Sequence, residues 1–93
     1  MGIEYRLKFA FRGREDVEQL LSRMQDARAA NAPSTGFEFG QMAMQGEMPD
    51  ATASAEPYGL HFCDHGGLGR AYLGHVVAKL VGQYGPVQVA ELE

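Results

Sequence analysis

The sequence predicts one α+β domain, and three observations carry that expectation. Ile3 to Phe11 alternates apolar and polar side chains over nine residues, the period of a half-buried strand. Leu68 to Tyr84 sets apolar residues at helical spacing and closes on Gly85-Pro86. The chain has 93 residues, enough for a single modest core that buries roughly 60–65% of the unfolded surface.

The elements follow in order. In the first strand Ile3, Tyr5, Leu7, Phe9 and Phe11 share one face, and Glu4, Arg6, Lys8, Ala10 and Arg12 share the other. Arg12-Gly13-Arg14 makes the turn. A helix is expected from Glu15 to about Ala30. Glu15, Asp16 and Glu18 suit the positive end of its dipole, and Val17, Leu20, Leu21, Met24 and Ala27 form its buried stripe. Asn31-Ala32-Pro33 should end it. A second strand is expected from Gly36 to about Met44, with Phe37 and Phe39 inward.

Residues 45–57, QGEMPDATASAEP, are acidic, small and proline-bearing, and are expected as an exposed, mobile loop. Tyr58 to Cys63 alternates again and gives a third strand, with Leu60 and Phe62 inward. Asp64 is expected as an N-cap or turn residue before the helix that follows. In that helix Tyr72, Leu73, Val76, Val77, Leu80, Val81 and Tyr84 form the apolar face. Val87 to Leu92 closes the chain as a fourth strand.

The order β-α-β-β-α-β resembles the ferredoxin-like split βαβ arrangement, with both helices on one face of a four-stranded antiparallel sheet. The first and third strands would be its antiparallel centre. The resemblance is topological and covers the whole chain. Acylphosphatases share this size and topology, but they need a glycine-rich cradle and an arginine after the first strand and an asparagine on the second. Neither the cradle nor the asparagine is present here. RNA-recognition domains carry aromatics where this chain has Arg6, Lys8, His61 and Cys63.

Composition narrows the function classes. A net charge of −4 argues against a nucleic-acid partner. One cysteine excludes an internal disulfide. No apolar run approaches a membrane span and no secretory leader is read, so the expected location is cytoplasmic, with no membrane partner. Residues 29–69 hold five acidic side chains (Glu38, Glu47, Asp50, Glu56, Asp64) and no Lys or Arg.

Three constellations bear on chemistry. His61, Cys63 and His65 offer nitrogen and sulfur donors, but same-face strand neighbours stand about 6.5–7 Å apart, so one metal would require a bent strand. No metal or cofactor is therefore expected, and no third residue is identifiable to orient a Cys63–histidine pair for catalysis. The glycine-rich turn before the second helix offers Gly66, Gly67 and Arg70 to an anion. It matches neither a Walker loop nor G-x-G-x-x-G, and Asp64 would repel phosphate. The back of the second helix is smooth: Ala71, Gly74, His75, Ala78 and Gly82 stand where a solvent face normally carries long polar side chains. Such a face lets another backbone approach.

The function expected from these features is a small non-catalytic protein-interaction domain. Its partner-facing residues would be Glu47, Asp50 and Glu56 in the acidic middle, with Ala71, Gly74, Ala78 and Gly82 on the helix. A basic protein is the expected partner, and a homodimer is the other association considered. The alternative is a small-molecule binder or enzyme of the dimeric α+β-barrel type, in which two open sheet faces enclose a pocket.

Overall fold

A computed structural model describes residues 2–24, 27–29, 36–40 and 49–92. Its elements are β1 (Ile3–Lys8), α1 (Arg14–Ser22), β2 (Ala27–Ala29), β3 (Phe37–Phe39), β4 (Ala51–Glu56), β5 (Gly59–Asp64), α2 (Gly69–Tyr84) and β6 (Gln88–Leu92). The fold is α+β, with two helices and an antiparallel sheet among the described residues. The sheet has six strands in the order β2-β3-β4-β5-β1-β6, not the four expected.

The two added strands come from segments with misleading composition. The first helix was expected to reach Ala30, but α1 stops at Ser22. Ser22 Oγ donates to the Gln19 carbonyl at 2.8 Å, an alternative to solvent that competes with further helix. The chain then turns and pairs Ala27 with Phe39 and Ala29 with Phe37. Alanine favours helix, yet here sheet pairing overrides local propensity. The other surprise is β4, which occupies residues 51–56 of the expected 45–57 loop. Ala51, Ala53 and Ala55 are 0%, 3% and 2% exposed, and Thr52, Ser54 and Glu56 face the other way. The pattern has period 2, but its inward residues are too small to read as a core. Small side chains suit a position where helices sit on the strand, and both α1 and α2 pack on β4.

One pairing is as expected. β1 and β5 are antiparallel neighbours, pairing Tyr5 with Phe62 and Leu7 with Leu60. β1 is shorter than the expected strand, ending at Lys8, although Phe9 and Phe11 still pack inward. Of the expected second strand only Phe37–Phe39 is strand, and residues 41–44 lie outside the described residues. β6 lies on the far side of β1 and pairs Val89 with Leu7.

One core cluster joins both helices to one face of the sheet. Leu7, Val17, Leu21, Phe39, Leu60, Phe62, Val76 and Leu80 are fully buried within it. Aromatic rings link the layers: Phe62 lies 6.5 Å from Tyr5 and 6.3 Å from Phe39, and Phe39 lies 5.6 Å from Tyr72. Gly59 marks a tight approach. It has φ +146°, and a Cβ there would meet the Leu7 carbonyl and the Phe9 ring, so only glycine fits the start of β5. Gly85 ends α2 with φ +91°, its N–H donating to the Val81 carbonyl at 3.0 Å. Among the described residues no helix is long and apolar enough to cross a membrane.

Candidate functional site

The sheet face away from the helices gathers most of the chemistry-bearing side chains. Strand alternation puts Glu4, Arg6, Lys8, Thr52, Ser54, Glu56, His61 and Cys63 there, and the register sets Glu4 beside Cys63 and Thr52 on one row. His61 Nε2 and Glu4 Oε1 are 2.8 Å apart. Arg6 lies over the Tyr58 ring at 5.1 Å, and its Nε is buried without a hydrogen-bond partner among the described residues.

The three expected donors divide into two separate groups. His61 belongs to Glu4. His65 sits past the end of β5 and turns back, its Nε2 3.1 Å from Thr52 Oγ1 and its Nδ1 3.7 Å from Cys63 Sγ. Which of the two nitrogens donates depends on the tautomer of the ring. Among the described residues no group of three or more His, Cys, Asp or Glu side chains is arranged to hold a metal. Two partners were missed from the sequence. Thr52 stood in the expected loop, and Glu4 met His61 only through a register that the sequence did not specify.

Thr52–His65–Cys63 has the connectivity of an oriented base and nucleophile, but the thiol is poorly poised for it. Burial pushes the Cys63 pKa up, and the Glu4 and Asp64 carboxylates push it further. The thiolate is the reactive form, so its share at neutral pH is small. Alkylation of Cys63 by iodoacetamide at neutral pH is therefore expected to run slower than that of free cysteine. Glu4→Gln removes one repelling charge and should speed it. Equal or faster reaction of the wild type would contradict this assignment.

The glycine-rich turn before α2 is filled from within. Gly66 N–H donates to Asp64 Oδ1 at 2.8 Å, and Leu68 N–H donates to Asp50 Oδ2 at 3.3 Å. A Cβ on Gly67 would stand 2.9 Å from Asp50 Oδ1. Asp64 thus caps this turn and not the helix proper, whose N-cap is Leu68, with no side-chain bond. Of the three expected anion-binding residues, Gly66 N–H faces an internal carboxylate, Gly67 sits against another, and Arg70 is exposed. An outside anion would have to displace carboxylates that hold the turn.

The same contacts change the acidic middle. Asp50 also accepts the His65 N–H on its carbonyl at 2.9 Å, and Glu56 accepts from Ser54 Oγ at 3.0 Å. These residues help build β4 and the turn, so they are not a freely disposed acidic loop. Glu47 lies outside the described residues.

The smooth helix face is exposed as expected: Ala71, Gly74, His75, Ala78 and Gly82 all face solvent. Ala78 and Gly82 also line an open groove of about 580 Å³ between α1 and α2, with Leu20 and Met24 opposite and Arg23 and Lys79 beside it. A second hollow shares Asp16 and Gln83 with it and continues to Arg12 and Tyr84. Tyr84 stacks on Phe9 at 5.1 Å, and its hydroxyl donates to Asp16 Oδ2 at 3.5 Å. A Cβ on Gly74 would meet nothing within 4 Å. Gly74→Ala is accordingly expected to raise stability by up to about 1 kcal/mol, read as a higher urea midpoint. A fall would mean that the glycine is required by the fold.

No protein-family model, curated protein or solved structure matches the chain.

Proposed function

We propose that this chain is a small non-catalytic protein-interaction domain that docks a partner protein through the back of α2 and the groove beside it. The observation that carries this reading is the run of small side chains on α2, which includes Ala78 and Gly82 in the groove wall facing Leu20 and Met24. Two interior glycines cost a helix roughly 1 kcal/mol each relative to alanine. A docking surface that needs close backbone approach gives that cost a purpose. The raised pKa of Cys63 argues against a cysteine nucleophile. The basic partner is not carried forward, because Asp50 and Glu56 hold internal hydrogen bonds. The groove offers Arg12, Arg23 and Lys79 instead.

The fold that presents this surface fits a widened ferredoxin-like unit. With β2 and β3 set aside, the chain runs β1-α1-β4-β5-α2-β6 and the sheet runs β4-β5-β1-β6, the split βαβ order. The β2–β3 pair then extends the sheet beyond β4. The dimeric α+β-barrel alternative is weaker, since stacking two open faces would bury Glu4, Arg6 and Lys8 of both copies.

Affinity capture from the source cell tests the reading, with wild type and Gly82→Arg compared side by side. A protein retained by wild type and lost by the folded variant is expected. Identical captures from both chains would overturn it.

A further inference from the structure

We propose that the chain also forms a two-fold homodimer through the free edge of β6, on the opposite side of α2 from the groove. Four observations meet there. First, β6 is an end strand, and its outer N–H and C=O groups have no strand beside them among the described residues. Such an edge is a template for another strand.

Second, the helix layer is narrower than the sheet. The main helix packing is α1 on β4 and β2 and α2 on β5 and β4, and β6 packs chiefly on β1. Gln88, Val89, Ala90 and Glu91 are all exposed, and Val89 is 48% exposed although its partner Leu7 is fully buried.

Third, the flank of α2 that looks toward β6 is apolar. The groove lies on the flank of Ala78 and Gly82, so helical periodicity puts Leu73, Val77 and Val81 on the other flank. Val81 is 48% exposed. The end of α2 sits over this end of β1, where Tyr84 stacks on Phe9. Val81 and Val89 are the large apolar side chains that α2 and β6 leave exposed.

Fourth, the edge carries little of the usual protection. Gln88-Val89-Ala90-Glu91-Leu92 has no proline and no lysine, and its one charge is Glu91. The strand can pair with a second copy of itself, and that single charge disfavours one register. Antiparallel pairing of β6 with itself about Val89 sets Val89 against Val89 of the second copy and Gln88 against Ala90. The two Glu91 side chains are then held apart, whereas pairing about Glu91 would oppose them. The Val89-centred register makes a continuous apolar row, Leu7–Val89–Val89–Leu7, across both copies. The opposite sheet edge, β2, has three residues among those described.

Sedimentation velocity across a concentration series reads the result. Wild type is expected at twice the 10.1 kDa chain mass. Val89→Lys, checked for folding by circular dichroism, is expected at the chain mass, and Gly82→Arg is expected to remain dimeric. In a Cys63→Ser background, Val89→Cys should oxidise to a covalent dimer and Lys79→Cys should not. This second arm decides the matter if Val89→Lys fails to fold. A wild type that stays monomeric, a dimer unaffected by Val89→Lys, a dimer lost on Gly82→Arg, or no cross-link at Val89→Cys would each overturn the proposal.

Discussion

Phe62→Ala is expected to cost about 3–5 kcal/mol, the largest effect of any single substitution considered. Phe62 is fully buried and stands between Tyr5 and Phe39, so truncation leaves a cavity lined by rings that lie on strands and have little room to close it. A domain of this size has a total stability of order 5–15 kcal/mol. The melting temperature should therefore fall by at least about 12 °C, at 4–8 °C for each kcal/mol. The control lies one position back on the same strand. His61→Ala removes an exposed pair with Glu4 and should change stability by less than about 1 kcal/mol. Similar losses in the two variants would mean that the helices do not cover the face that Phe62 occupies.

Gly69→Ala should destabilise the protein by about 1–3 kcal/mol or more, the opposite sign from Gly74→Ala in the same helix. Gly69 is buried at the first turn of α2. A Cβ there would collide with Asp64 Oδ1 and would stand 2.6 Å from the Asp50 carbonyl oxygen. The first obstacle is the carboxylate that accepts the Gly66 N–H, and the second is the carbonyl that accepts the His65 N–H. Relief at either point breaks the turn. Chemical denaturation of both alanine variants checks the pair of signs. A stable Gly69→Ala would show that the two aspartates do not close the turn in this way.

How much of this was legible beforehand depended on side-chain size. Tyr5, Leu7, Leu60 and Phe62 announce β1 and β5 because large apolar residues alternate with polar ones. Val76 and Leu80 announce α2 for the same reason at helical spacing. Ala51, Ala53 and Ala55 alternate just as regularly, but alanine, serine and threonine between two prolines look like a loop. Only the helices lying on them explain why small residues suffice. Residues 27–29 misled in the opposite direction, since alanine argues for helix and nothing local reveals that Phe37 and Phe39 are waiting to pair. The site followed the same division. The smooth face of α2 could be read from Gly74, Ala78 and Gly82 alone. The Thr52–His65–Cys63 chain could not, because it needs β4 beside β5, and the internal role of Asp50 needs the turn that it holds.

The central claim is that partner binding uses the α2 back face and its groove, and not the polar open sheet. Hydrogen exchange on the wild-type chain, with and without the protein it captures, tests this most directly. Slowed exchange is expected at the end of α1 and just after it, around Gln19–Met24, and in α2 around Gly74–Gln83, with β4 and β5 unchanged. Protection confined to β4 and β5, around Thr52, His61 and Cys63, would contradict it.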